Sequence, residues 1–189
     1  MYISCAIIPV SEKIDSYFIK NEIWKSFPDK EENRRRFIYN IEGEDEAKIT
    51  MISKLAPINT TMLVWKTKEI QEALFNAKIY NIIVKINSST RNAITDKRHA
   101  IKEQDQISEM FNKLAKTNGF NIRGLEIIRT GNIYFKEKKG KSATHYIAEI
   151  IANIEVFDME LFKKAFLEGI GKSRGYGLGM IRIQSKDIE

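Results

Sequence analysis

The sequence predicts an α+β fold made of two ferredoxin-like βαββαβ units in tandem. Three observations carry that expectation. Runs of alternating apolar residues, suited to strands, are interrupted by stretches with helical spacing. Their order in the first half is β-α-β-β-α-β, and a similar order returns in the second half. Between the halves lies Ser88 to Asp96, a polar segment rich in Ser, Thr and Asn that suits a boundary. The expected division is residues 1–90 and 97–189.

Met1 to Val10 is almost continuously apolar and reads as the first strand. Asp15 to Phe27 follows as a helix, with Ile19, Ile23 and Phe27 spaced four apart as its core stripe and Pro28 ending it. Phe37 to Ile41 and Lys48 to Ser53 alternate as strands across an acidic turn at Gly43 to Glu46. Thr67 is placed to cap a short helix carrying Ile70, Ala73 and Leu74. Lys78 to Asn87 is a strand with Tyr80, Ile82, Val84 and Ile86 on one face. In the second half, Lys97 to Ile101 is the candidate first strand. Glu103 to Asn118 sets Ile107, Met110, Phe111 and Leu114 at helical spacing, and Gly119 suits its C-terminal cap. Strands follow at Phe120 to Arg129, Ile133 to Glu137 and His145 to Val156. Asp158 caps a helix over Met159 to Leu167, and Leu178 to Gln184 is the final strand.

Composition narrows the function classes. The chain has 189 residues, 43% hydrophobic and 30% charged, which is ordinary for a soluble protein. No apolar run approaches the length of a membrane span, and the start lacks the basic region of a signal peptide. A single cysteine, Cys5, excludes an intrachain disulfide and a cysteine zinc cluster, and it points to the cytoplasm. The net charge of +6 is unevenly spread: Lys78 to Lys102 carries +5 and Arg129 to Lys141 carries +4, leaving −3 elsewhere. Such segregation makes a local positive field suited to a polyanion.

Five of the ten glycines fall between Gly169 and Gly179, interleaved with Lys172, Arg174 and Tyr176. Glycine tolerates positive φ and lets bare backbone amides approach a ligand, and flanking cations suit a nucleic-acid backbone. Gly171-Lys172-Ser173 is not a P-loop. Phe166 stands where the first glycine is needed, and the loop runs from helix to strand, not strand to helix. A dinucleotide fingerprint fails because Arg174 falls at its third glycine. A plain flexible connector remains open, although connectors favour Gly and Ser without aromatics.

A helix followed by Gly-Ile-Gly-x-x-x-Gly-x-Gly-x-Gly and a terminal strand resembles the signature of the CasE-type CRISPR repeat-processing endoribonucleases of the RAMP superfamily. Met1-Tyr-Ile-Ser, Asp15 to Pro28, Arg36-Phe-Ile-Tyr39, Lys97-Arg98 and Tyr134-Phe135 before a basic hairpin also match, so the resemblance runs nearly end to end. It implies a double ferredoxin-like fold and cleavage of precursor CRISPR RNA at the base of a repeat stem-loop. It also implies attack by the 2′-hydroxyl without metal or cofactor, and residence in a Cascade complex with other subunits. The family's usual histidine, three residues after a tyrosine on the first helix, is here Lys20, with Tyr17 as the tyrosine. Tyr17, Lys20 and Trp24 share one helical stripe.

Lysine does not simply replace imidazole, since its ordinary pKa near 10.4 makes it a cation at neutral pH. Three readings of Lys20 stay open: a catalytic lysine assisted by Tyr17, a phosphate-binding lysine in a subunit that does not cleave, or an exposed helix lysine. His99 and His145 match no catalytic position and read as surface or structural residues. The candidate RNA-binding set is Arg91, Lys97, Arg98 and Lys102, the hairpin lysines Lys136, Lys138, Lys139 and Lys141, and the loop residues Gly169, Gly171, Lys172, Arg174, Gly175, Gly177 and Gly179. Trp24 and Trp65 read as packing residues. Beside the nuclease stand two other classes: an RNA-binding module that does not cut, and a protein-interaction subunit.

Overall fold

A computed structural model describes residues 1–9, 16–27, 37–43, 46–91, 98–136 and 142–184. The first sheet contains β1 (Tyr2–Pro9), β2 (Phe37–Glu42), β3 (Glu46–Ser53) and β4 (Lys66–Glu69), in the order β2-β3-β1-β4. The second contains β5 (Ile79–Asn87), β8 (Phe120–Lys136), β9 (Ser142–Val156) and β10 (Ile181–Gln184), in the order β10-β5-β9-β8. All pairings are antiparallel. Both orders are the split arrangement in which the first and third strands of a unit lie at its centre, so the tandem ferredoxin-like α+β expectation is met. Between β5 and β8, a separate hairpin pairs β6 (Ser89–Arg91) with β7 (Arg98–Ala100). Among the described residues, no helix is long and apolar enough to cross a membrane.

The helix α1 (Ser16–Lys25) lays Ile19 and Ile23 on the first sheet, and Phe27 just beyond it joins Phe37, Tyr39, Ile49 and Met51 in one buried cluster. In the second unit α2 (Gln104–Thr117) buries Ile107 and Phe111, and α3 (Met159–Glu168) buries Phe162 and Phe166. Asp158 caps α3 as its sequence position suggests, its Oδ1 accepting from the Leu161 amide at 3.0 Å. Ile38 and Ile52, on the far face of the first sheet, pack into the second unit's core, so the units share apolar surface.

Four expectations change. Thr67 starts no helix; it lies in β4, an exposed edge strand paired with β1 where its hydroxyl meets that of Ser4 at 3.0 Å, and only a four-residue 3-10 turn (Glu72–Phe75) follows. The strand β5, expected to close the first unit, opens the second sheet instead, with Val84 opposite Ile150 and Ile181. Arg98–Ala100 is the outer strand of the small hairpin and not the first strand of the second unit. The strands expected on either side of Gly131 are one 17-residue strand, β8, which absorbs irregularity through register shifts after Ile122 and Ile127.

Candidate nucleic-acid interface

The glycine loop joins α3 to β10, and its burial corrects the picture of a bare amide cradle. Gly169, Gly177 and Gly179 are buried. Their amides serve the fold: Gly169 donates to Ala165 O at 2.8 Å, Gly177 to Arg174 O at 3.3 Å, and Gly179 to Lys85 O at 2.6 Å. Gly179 has φ +84, and a Cβ there would lie 2.1 Å from the Ile170 carbonyl oxygen, whose amide bonds back to Gly179 O at 2.8 Å. A Cβ on Gly177 would sit 3.1 Å from the Tyr39 ring, and the Tyr39 hydroxyl donates to Gly175 O at 2.9 Å. The loop is thus a wedge seated on β2 of the first unit. Arg174 is occupied as well, its Nη1 donating to Glu168 O at 3.1 Å and Gly169 O at 3.3 Å at the end of α3. Lys172 is the exposed cation of this loop.

The helix α1 touches both β8 and the 3-10 turn Arg174–Tyr176, which brings the helix of Tyr17 and Lys20 against the glycine loop. Both side chains are half-buried. Trp65, buried, donates from Nε1 to Ser26 Oγ at 2.9 Å and packs as expected, whereas Trp24, next on that stripe, meets Phe37 edge-on at 5.0 Å but is 37% exposed.

A polar network missed by sequence reasoning lies on the other side of the loop. Asn87, 5% exposed, donates from Nδ2 to His145 Nδ1 at 3.0 Å and to Ser173 Oγ at 2.7 Å. Ser89 Oγ donates to Asn87 Oδ1 at 2.6 Å. His145 is buried among rings, 4.9 Å from Tyr176 and 5.4 Å from Phe135, which fits its reading as a structural histidine. With Nδ1 accepting, a neutral ring carries its proton on Nε2. Asn87, Ser89, Thr90, Arg98, Lys172 and Ser173 line a solvent-open cavity of about 200 Å³. Ser89 and Thr90 were legible only as part of a polar boundary segment, and nothing local tied them to Ser173 of the glycine loop.

A second electrostatic knot joins the units. Arg182 on β10 bonds Glu42 of β2 and, at 3.3 Å, Glu149 of β9. Lys85 stands nearby, and burial pushes its pKa below the ordinary 10.5, while Glu149 and Glu42 oppose that shift.

A model of a family described as "CRISPR associated protein" matches residues 9–185. The chain belongs to that family. No curated protein matches it by sequence. Among solved structures, this CRISPR-associated protein is similar to Thermus thermophilus Cse3 bound to an RNA representing a pre-cleavage complex. That match has a TM-score of 0.82 and 16% identity, covering 97% of this chain and 98% of the other. It is similar to Cas6e from Escherichia coli K-12, with TM-score 0.74 and 21% identity over 97% and 98% of the two chains. A chain of a CRISPR RNA-guided surveillance complex in a pre-nicking state matches at TM-score 0.78 and 12% identity, over 97% and 99%. These likenesses establish the fold, that of the Cse3 and Cas6e proteins.

Within this CRISPR-associated protein, the sequence-predicted cations divide by place. Arg98 and Lys102 are exposed, with His99 beside them. Arg91 lies directly opposite Arg98 in the β6–β7 register. Lys136 ends β8, opposite Ser142. Lys97, Lys138, Lys139 and Lys141 lie outside the described residues. Tyr134, at the approach to the basic hairpin, is 75% exposed, while its neighbour Phe135 is buried against His145 and Tyr176.

Proposed function

We propose that this protein binds the stem-loop of CRISPR repeat RNA and cleaves precursor CRISPR RNA as an endoribonuclease, then stays with its product among the other subunits of a Cascade complex. The observation that carries the reading is the seating of α1, with Tyr17 and Lys20, against the glycine loop. It occurs in a fold shared with an RNA-bound Cse3. The stem sits along the basic hairpin of Lys136, Lys138, Lys139 and Lys141, contacted mainly through phosphates and groove shape. Arg91, Lys97, Arg98, Lys102 and Lys172 extend the positive track. Gly171 and Gly175 form the half-buried part of the loop, while Gly169, Gly177, Gly179 and Arg174 hold its shape.

In the reaction, the 2′-oxygen attacks the adjacent phosphorus, the bond to the 5′-oxygen breaks, and the products are a 2′,3′-cyclic phosphate and a 5′-hydroxyl. The proton of the 2′-hydroxyl passes to water, and another joins the departing oxygen. Lys20, as a cation, stabilises the charge that builds on the phosphorane and supplies the leaving-group proton, with Tyr17 orienting the phosphate. The lysine in the histidine position also favours a second reading, a repeat-binding subunit that does not cut. Incubation with end-labelled repeat hairpin in EDTA separates them. The nuclease yields a cyclic-phosphate product, whereas tight binding with no product supports the second reading.

A further inference from the structure

We propose that the cavity lined by Asn87, Ser89, Thr90, Arg98, Lys172 and Ser173 is a subsite for one unpaired nucleotide flanking the RNA stem. It holds that nucleotide by its phosphate and 2′-hydroxyl. This rests on reading the protein as a binder of repeat RNA, and adds to it a place and a chemical preference.

The lining is all polar, with two cations and no acid. Among the described residues neither Arg98 nor Lys172 has an ion-pair partner, and the two come from different elements, the β6–β7 hairpin and the glycine loop. At about 200 Å³ the cavity exceeds the ~30 Å³ share of one water several-fold, yet it is far too small for a duplex. It suits one sugar-phosphate unit. No aromatic ring lines it, so it has no platform for a base and recognises backbone.

The network behind the cavity fixes the polarity of its hydroxyls. Ser173 Oγ accepts from Asn87, which leaves its own proton to donate to a phosphate oxygen. Ser89 gives its proton to Asn87 Oδ1, leaving lone pairs to accept from a ribose 2′-hydroxyl. Ser173 is also the one non-glycine residue with positive φ among the described residues, at φ 61. Such a conformation persists only where surrounding contacts impose it. Here the bond from Asn87, itself held by the buried His145 ring, does so at the residue that follows Lys172. Asn87 and His145 are therefore positioning residues, while Ser173, Ser89, Arg98 and Lys172 touch the nucleotide.

The test measures affinity for two RNAs, the bare repeat hairpin and the same hairpin with unpaired nucleotides on both sides. The wild type should bind the flanked RNA about tenfold more tightly, through two added charge-assisted contacts. In Arg98→Ala/Lys172→Ala that ratio should fall to about one, and the salt slope for the flanked RNA should flatten by about 0.7, the value for one single-strand phosphate left unneutralised. Ser173→Gly deletes the hydroxyl at a position where glycine bears the positive φ without strain, which offsets part of the lost bond from Asn87. It should narrow the ratio about threefold while the bare hairpin still binds as tightly as to the wild type. Replacing the flanking riboses by 2′-deoxyriboses should narrow it similarly in the wild type and not in Ser89→Ala. An unchanged ratio in the variants, or no flank advantage in the wild type, overturns the subsite while leaving hairpin binding intact. Failure of the wild type to bind either RNA overturns the RNA-binding reading itself, and the subsite with it.

Discussion

Replacing Gly179 by alanine tests whether the glycine loop is a packed wedge or a ligand-facing ribbon. At φ +84 an L-residue costs about 1–2 kcal/mol in backbone strain. The new methyl would also sit 2.1 Å from Ile170 O, so the two segments must separate. Separation breaks the bond from the Ile170 amide to Gly179 O and that from the Gly179 amide to Lys85 O. Two buried backbone bonds lost without replacement add about 2–4 kcal/mol. The sum, about 3–6 kcal/mol, is a large part of the ~5–15 kcal/mol that holds a typical protein folded. At ~2–4 °C per kcal/mol, melting should fall by about 6–24 °C. Gly171→Ala is the internal control. It has φ +72, but its nearest contact would be Leu114 Cδ1 at an ordinary 3.5 Å, so only strain remains. Its melting temperature should drop by less than half as much. Calorimetry of both variants without RNA decides the matter, and equal melting temperatures would refute the wedge.

Lys20→Ala should slow single-turnover cleavage about 100-fold or more while changing hairpin affinity little, as for a group acting mainly in the transition state. Lost affinity with normal cleavage would move Lys20 to the binding set. Lys138→Ala/Lys139→Ala should weaken hairpin binding and reduce its salt slope by about one per lost phosphate contact, and an unchanged slope would count against the clamp. Asp158→Ala removes the cap on the Leu161 amide and should cost about 1 kcal/mol, or ~2–4 °C, in thermal unfolding. For Lys85, burial lowers the folded pKa below 10.5, so the folded protein sheds that proton first as pH rises. Its contribution to stability therefore improves with pH in the window just under 10.5. Lys85→Met should abolish that alkaline rise and melt no lower than wild type at pH 7, whereas superimposable melting-versus-pH curves would disprove it.

Local patterns carried most of the fold. Four-residue spacing in α1 marked Ile19, Ile23 and Phe27, and all three are buried. The α2 stripe held too, with Ile107 and Phe111 buried and Met110 and Leu114 packed beside them. Sequence could not say which neighbour a strand selects: Tyr80, Ile82, Val84 and Ile86 share one face in either sheet. The short apolar group after Thr67 fitted a helix until pairing with β1 claimed Lys66–Glu69. At the interface, glycine density was visible, but whether amides face solvent or another segment depends on residues such as Lys85 and Tyr39, far away in sequence. The Asn87, His145 and Ser173 contacts span 58 and 86 positions, and no local composition signals them.

The placement of β10 beside β5 ties the last of the described strands to one formed nearly a hundred positions earlier. During synthesis β5 emerges early but has one flank uncovered until residues 181–184 leave the ribosome, because its other neighbour, β9, also appears first. Such a long wait favours slow maturation. It also makes residues 181–184 a poor place for truncation, since removing them would leave a bare strand edge open to self-association.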